Sequence, residues 1–199
     1  MSQEVEIEFK NMLTEKEYQQ LNNSLFASSK SFTQTNYYFD TPSEALKQAG
    51  MGLRLRKLKD KNECTLKVPT DNPHSYLELT DNLTDEQMKD SLENLSIPSA
   101  SEAAKYLRSK DIDPTALDFI GDITTIRKEV NLQDTQLLVL DESQFQDGIV
   151  DYELEMEVSD ISNSEELFNS LLREHGITHR PSKKKVARMI AYKQDISQG

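Results

Sequence analysis

The stretch that decides the fold lies near the N-terminus and reads Glu4-Val5-Glu6-Ile7-Glu8-Phe9-Lys10. Charged and apolar residues alternate strictly in it, which is the period of a β-strand and not that of an amphipathic helix. Residues 4, 6, 8 and 10 therefore share one charged face. Neighbouring carboxylates on one strand face repel each other unless a cation lies among them. The stretch predicts a strand that forms one wall of a metal site.

The same pattern returns near the C-terminus in Asp151-Tyr152-Glu153-Leu154-Glu155-Met156-Glu157-Val158. Glu153, Glu155 and Glu157 share one face of this second predicted strand, and apolar side chains occupy the other. The two strands together look like two walls of a metal site rather than like solvated surface.

Strands and helices alternate irregularly between these two stretches. Further strands are predicted at residues 36–42, 52–58, 63–68, 76–80, 123–132 and 136–141, with the second acidic strand at 149–158. Helices are predicted at 14–24, from Ser43 to Gly50, twice within 84–112, from 162 to about 175, and at 182–194. Capping boxes that begin at Thr14, Thr84, Ser99 and Ser162 mark four of these helix starts. The order predicts a single α+β domain over residues 1–199, with a helical insertion at 81–120.

The charged faces of the predicted strands are sorted by sign. Glutamates dominate the terminal strands, whereas Arg54, Arg56 and Lys67 lie on the middle ones and Arg127 on a later one. An antiparallel sheet with its charged face in water would account for any one of these strands. A barrel closed with its charges inward and its apolar face against the helices would account for the sorting. The pattern alone leaves both arrangements open.

Composition limits the classes of partner. The formal net charge of −12 argues against nucleic acid or an anionic membrane surface as a partner, although a local cluster of Lys and Arg can still bind a small anion. Cys64 is the one cysteine, so no internal disulfide can form and a cytoplasmic location is expected. No apolar run approaches membrane-spanning length, and the three histidines show no metal-ligand spacing.

The ordered set of charged residues resembles the CYTH family, also called triphosphate tunnel metalloenzymes. Its Glu-x-Glu-x-Lys motif matches Glu6, Glu8 and Lys10, and its later elements match Arg54 with Arg56, Lys67, Arg127, Asp141, Glu153 with Glu155, and Lys185 with Arg188. The match is collinear over about residues 4–190. One departure is Glu78, which stands alone where many members carry an Arg and a second acid. The resemblance implies a closed antiparallel eight-stranded β-barrel, a tunnel with a polar lumen and helices packed outside.

The resemblance also implies roles for these residues. Oxygen-only ligands without Cys or His favour Mg²⁺ or Mn²⁺, and the predicted metal ligands are Glu6, Glu8, Glu153, Glu155 and Glu157. The predicted substrate-binding residues are Lys10, Arg54, Arg56, Lys67, Arg127, Lys185 and Arg188, because arginine forks and lysine point charges suit phosphate oxygens. Lys10, Arg56, Asp141 and Lys185 are the predicted catalytic residues.

The expected function is metal-dependent hydrolysis of inorganic triphosphate or of a small organic triphosphate. One alternative is an adenylyl cyclase, which would release cyclic AMP and pyrophosphate from ATP. Another is a non-catalytic sensor that binds a polyphosphorylated nucleotide or polyphosphate. The oligomeric state is left open.

Overall fold

The structure is a computed structural model that describes residues 2–133, 136–160 and 162–197. Its strands are β1 (Ser2–Leu13), β2 (Phe32–Asp40), β3 (Gly52–Lys57), β4 (Asn62–Pro69), β5 (Ser75–Leu83), β6 (Asp118–Gln133), β7 (Gln136–Gln144) and β8 (Val150–Val158). Its helices are α1 (Glu15–Asn23), α2 (Ala45–Gln48), α3 (Asp85–Glu93), α4 (Glu102–Ser109), α5 (Ser164–Glu174) and α6 (Lys185–Ser197). None of the helices in the described part of the chain has the length and apolar character needed to cross a bilayer.

The strands close into a barrel in the order β1-β5-β4-β3-β2-β6-β7-β8. Chain neighbours such as β3 and β4, or β7 and β8, pair antiparallel, and β1 pairs antiparallel with β8 near the other end of the chain. This confirms the predicted α+β fold with a closed eight-stranded barrel. Within the barrel the chain forms two compact units, which we describe separately.

The first unit contains the start of β1 and residues Gln34–Asp122. The apolar face of its strands packs into a core: Leu55, Cys64 and Leu66 are buried in one cluster with Met88 of α3 and Leu107 of α4. The helices between β5 and β6 therefore cover the apolar face, and the charged face of these strands is turned away from them. That residues 81–120 form an insertion within a single domain remains a prediction.

The second unit contains Glu6–Thr33 and the described residues from Ile123 onward. Its core joins Phe9 of β1 and Leu154 of β8 to Leu21 of α1 and Phe168 of α5. The opposite, polar face is also shielded from water, since the side chains of residues such as Glu155 are only 3% exposed. Burial on both faces excludes a solvated sheet and supports the barrel with its charges inward.

Two of the predicted capping boxes are confirmed. The Thr14 and Thr84 side chains accept the backbone N–H three residues on, and the Glu17 and Gln87 side chains accept the backbone N–H of the cap residue in return. These reciprocal bonds satisfy amide donors that a helix start leaves free.

Three predicted helix starts were wrong in detail. Helix α4 is capped by Ser101, not Ser99, and Ser101 Oγ accepts from Ala104 N at 3.1 Å. Helix α5 follows Asn163 in a left-handed conformation, with no side-chain cap. Helix α2 follows Glu44, also left-handed and also without its own side-chain cap. Contacts outside the local motif determine where these three helices begin, so the motif alone could not predict their first residues.

Candidate metal and phosphate site

Strand pairing brings the predicted acidic and basic residues of the second unit side by side. Lys10 of β1 lies opposite Glu155 of β8, while Asp141 of β7 lies opposite both Glu153 of β8 and Arg127 of β6. Because side chains alternate along each strand, these partners lie on one face of the sheet. The registers thus assemble residues that are up to 145 positions apart in the chain.

Three carboxylates converge on this face. Asp141, Glu153 and Glu155 are 0%, 1% and 3% exposed, and each offers a ligand oxygen within 4.8 Å of those of the other two. Among the described residues, these three form the acidic group whose ligand oxygens lie close enough to one another to hold a metal ion. We call Asp141, Glu153 and Glu155 the acid triad.

The ammonium group of Lys185 lies among the three carboxylates of the acid triad. Its Nζ is 2.5 Å from Glu153 Oε1, 2.6 Å from Glu155 Oε1 and 2.8 Å from Asp141 Oδ2. Lys185 is the first residue of α6, so the start of this helix places a cation at the acid triad. The position is therefore suited to a cation with oxygen ligands.

Two further cations flank the acid triad. Arg127 donates from Nε to Asp141 Oδ1 at 2.8 Å and from Nη2 to Asp141 Oδ2 at 2.7 Å, and Nη2 lies 3.3 Å from Glu155 Oε2. The Lys10 ammonium lies 2.9 Å from Glu8 and 3.4 Å from Glu155. Each carboxylate of the acid triad thus contacts at least one cation, which is how a protein can tolerate buried charge.

Arg188, one turn after Lys185, fixes the start of α6. Its Nε donates to Asp151 at 2.7 Å, and Nη1 donates to Glu153 at 2.9 Å and to the carbonyl of Lys183 at 2.5 Å. Tyr192 also donates to Asp151, and the hydroxyl of Ser182 donates to Glu153. Because these contacts involve the strand as well as the helix, they align α6 with β8.

The pKa directions follow from this geometry. Burial raises the pKa of Glu155, but Lys10, Lys185 and Arg127 lower it more, so it lies well below its usual range. Burial likewise opposes the effect of Arg127 and Lys185 on Asp141, whose pKa is also lowered. Burial, together with the neighbouring Glu155, raises the pKa of Glu153. Burial lowers the pKa of Lys185, but the acid triad raises it by more.

The remaining predicted acids lie near this cluster but outside the acid triad. Glu8 is buried beside Lys10 and lies opposite Glu157 in the β1–β8 register. Glu6 and Glu157 are half-buried. Sequence reasoning missed Asp151, Ser182 and Tyr192. Asp151 could have been found, because it is in phase with Glu153 and Glu155 along β8.

A second ionic cluster lies on the polar face of the first unit. The Glu78 carboxylate is 3.0 Å from the Lys67 ammonium and 3.7 Å from an Arg54 nitrogen. Burial raises the pKa of Glu78, but Arg54 and Lys67 outweigh burial and lower it to about 2. Arg56 donates to the side-chain oxygen of Asn36 at 2.9 Å. These contacts orient the three predicted phosphate-binding residues Arg54, Arg56 and Lys67.

The acid triad fits a hard divalent cation. All of its donors are carboxylate oxygens, the ligand type that Mg²⁺, Mn²⁺ and Ca²⁺ prefer, and the group contains neither Cys nor His. The Lys185 ammonium shows that a cation can reach all three carboxylates at once. Asp141, Glu153 and Glu155 could therefore hold a metal ion.

Comparison with known proteins identifies the family of the chain. The family model described as the CYTH domain matches residues 4–190 of the chain. The chain belongs to the CYTH family. The resemblance inferred from Glu6, Glu8, Lys10 and the later motifs is thereby confirmed.

Three similar proteins align with nearly the whole chain. A Bacillus subtilis protein named "Putative triphosphatase YjbK" is 37% identical over 195 residues, which are 98% of each chain. A crystal structure from Bacillus halodurans, described as a putative adenylate cyclase, is 30% identical with a TM-score of 0.86, and 94% of this chain and 98% of that one align. The Hippeastrum protein HpAC1, described as having a dominant triphosphatase activity, shares the fold with a TM-score of 0.79 at 23% identity, over 94% of this chain and 95% of that one.

Proposed function

We propose that this CYTH protein is a metal-dependent triphosphatase that hydrolyses inorganic triphosphate or a small organic triphosphate. The observation that carries the proposal is the acid triad with the cations Lys10, Arg127 and Lys185 around it. A metal site bordered by arginine and lysine side chains has the two features that a triphosphate needs. The similarity to the Bacillus subtilis protein named "Putative triphosphatase YjbK" supports the same activity.

The acid triad would hold Mg²⁺ or Mn²⁺, with Glu6, Glu8 and Glu157 as further candidate ligands. The bound ion would neutralise the charge that develops on the phosphate oxygens. Cationic neighbours lower the pKa values of Asp141 and Glu155, so these two carboxylates are ionised at neutral pH. Asp141 and Glu155 can thus bind a cation without first losing a proton.

The basic residues would hold the phosphate chain. Arg127 presents a planar guanidinium that can bind two phosphate oxygens, and Lys10 and Lys185 act as point charges. Arg188 holds the start of α6 and so positions Lys185. In the first unit, Arg54, Arg56 and Lys67 have the same chemistry, and we assign phosphate binding to them as well.

The reaction requires no nucleophilic side chain. Positioning and charge stabilisation supply most of the catalysis in phosphoryl transfer, with water as the attacking group. The single thiol, Cys64, is buried, and burial raises its pKa to about 12, so it is an inert core residue. We expect the reaction to take place in the cytoplasm.

A substrate panel tests the proposal. The pure protein is incubated with Mg²⁺ or Mn²⁺ and with tripolyphosphate, thiamine triphosphate, ATP or pyrophosphate, and both phosphate and cyclic AMP are measured. We expect phosphate release from a triphosphate that EDTA abolishes. Binding of triphosphate without any turnover would instead identify a sensor and overturn the proposal.

Two matched variants test whether the activity depends on the acid triad. Removing a metal ligand should cost more than the 10- to 100-fold typical of its supporting contacts, so we expect Glu155→Gln to lose about 100-fold or more of kcat/KM. Glu129→Gln is the control, because Glu129 is exposed on strand β6 and lies outside the acid triad. Equal activity of both variants would contradict the role of the acid triad.

Adenylyl cyclase activity is a second candidate function, because the 30% identical Bacillus halodurans protein is described as a putative adenylate cyclase. Cyclases and triphosphatases differ in the attacking group, a ribose hydroxyl or water. Cyclic AMP and pyrophosphate as the products from ATP would favour the cyclase, whereas phosphate release from tripolyphosphate favours the triphosphatase.

A further inference from the structure

The most informative unassigned contact is the one between Lys185 and the acid triad. An ammonium group makes three contacts of 2.5 to 2.8 Å with three different carboxylates, each less than 4% exposed. Those distances are close to the 2.3 to 2.6 Å at which Ca²⁺ binds oxygen and longer than the 2.0 to 2.1 Å of Mg²⁺. The ammonium therefore contacts all three carboxylates that could hold a metal ion.

We propose that Lys185 and the divalent cation are alternative occupants of the acid triad, so that the metal enters only when the Lys185 ammonium moves out. This inference rests on the proposed function, since it assigns a regulating role to a residue of the same site. Before the metal binds, Lys185 acts as a substitute cation in the acid triad. After the metal binds, its ammonium is a free positive charge.

Charge balance supports this exchange. With Lys185 in place, the acid triad already contacts four cations, namely Lys185, Arg127, Lys10 and Arg188, the last two of which also pair with Glu8 and Asp151. A divalent ion added to this arrangement would place two more positive charges beside four cations that already contact the acid triad, an excess that is unfavourable in a buried region. Departure of Lys185, together with arrival of a polyanionic substrate, removes that excess.

The start of α6 allows such a movement. The lysine side chain has a flexible four-carbon stem, so its head can move without displacing the helix. Arg188 holds the helix start through Asp151, Glu153 and the carbonyl of Lys183, and none of these contacts involves the Lys185 side chain. The Lys185 side chain is also 11% exposed, whereas the carboxylates that it contacts are almost fully buried.

The exchange links metal binding to substrate binding. The released ammonium needs a new anionic partner, and a triphosphate oxygen supplies one. We therefore expect weak metal binding to the free protein and stronger binding when triphosphate is present, because each ligand removes part of the cost of the other.

Metal affinity provides the first test. Mn²⁺ binding to the full chain without substrate is measured by isothermal titration calorimetry for the wild type, Lys185→Met and Lys183→Met. Lys183 is the control because it loses the same charge two residues away, from an exposed side chain. We expect Lys185→Met to bind Mn²⁺ about ten-fold or more tightly than the wild type, since a buried like charge is removed, and Lys183→Met to be unchanged. Equal or weaker binding by Lys185→Met would overturn the exchange.

Chemical labelling of the wild type distinguishes displacement of Lys185 by the metal from a general effect of charge on metal affinity. Lysines are acetylated with acetic anhydride, with and without saturating Mn²⁺, and the modification of each lysine is followed by mass spectrometry. We expect Mn²⁺ to increase the acetylation rate of Lys185 and to leave that of Lys183 unchanged. Protection of Lys185 that persists at saturating Mn²⁺ would overturn the proposal even if Lys185→Met failed to fold.

The two proposals fail in different ways. If Mn²⁺ binds the wild type and supports hydrolysis but neither test shows exchange, only the role of Lys185 is wrong. If neither the wild type nor Lys185→Met binds Mn²⁺, the exchange and the metal site assigned to the acid triad are both wrong.

Discussion

Arg127 and Asp141 form a two-point ion pair across β6 and β7, with both nitrogen–oxygen distances below 2.9 Å. The pair lies directly opposite in the strand register, and Asp141 is fully buried. Planar, bidentate geometry of this kind is specific to arginine and fixes both side chains in one orientation. The pair thereby holds one carboxylate of the acid triad in place.

Loss of the Arg127 guanidinium should destabilise the protein. Arg127→Met leaves Asp141 with Lys185 as its remaining cation, and an incompletely paired buried carboxylate costs about 3 kcal/mol. Urea unfolding measures the change. Arg180→Met is the control, since Arg180 pairs with Glu17 near the surface and is worth about 1 kcal/mol or less. Adding Asp141→Asn to Arg127→Met should recover part of the loss, and equal losses in the two single variants would contradict the argument.

Glu78 should make stability depend on pH in acid. Its pKa is about 2 in the folded protein against an ordinary value of 4.5, so its stabilising effect is complete above about 4.5 and is lost as the pH falls towards 2. The difference corresponds to something on the order of 3 kcal/mol. Glu78→Gln should be less stable than the wild type at pH 7 and should approach it near pH 2. Unfolding free energies measured at both pH values test this, and parallel curves for the two proteins would refute it.

Asn11 should hold the segment that leads into α6. This fully buried residue of β1 donates to the carbonyl of Thr178 at 3.0 Å and accepts from the backbone N–H of Arg180 at 2.6 Å. Asn11→Ala leaves those backbone groups without their partner, which should cost about 2 kcal/mol. We also expect faster hydrogen exchange at the N–H of Arg180. Asn94→Ala, at an exposed site, should change the free energy of unfolding by less than about 0.5 kcal/mol.

Two neighbouring serines test the cap of α4. Ser101→Ala removes the hydroxyl that accepts from Ala104 N and should cost about 1 kcal/mol, the usual value of an N-cap. Ser99→Ala should have little effect, because Ser99 is exposed and not the cap residue. Thermal unfolding of both variants distinguishes them, and a larger loss for Ser99→Ala would favour the cap position predicted from sequence.

Local sequence correctly predicted the features that depend only on residues close together in the chain. The alternation at Glu6-Ile7-Glu8 and at Glu153-Leu154-Glu155 predicted strands with one acidic face, and both are strands. Local sequence misplaced the start of α4 because Ser99 and Ser101 both fit a cap, and the choice between them depends on how the helix packs. Asp151 shows the converse case: its phase along β8 was visible, but its partner Arg188 was not.

By itself, then, the sequence determined the strands, the sorting of charge between them and the family to which the chain belongs. These features follow from side-chain alternation and from the order of charged residues, which need no knowledge of distant contacts. Tertiary structure alone decided which acids meet. Strand register brought Asp141 to Glu153, and the position of α6 carried Lys185 into the acid triad rather than Lys183 or Lys184. Pairing across the chain places these groups within hydrogen-bond distance, and no local pattern encodes that distance.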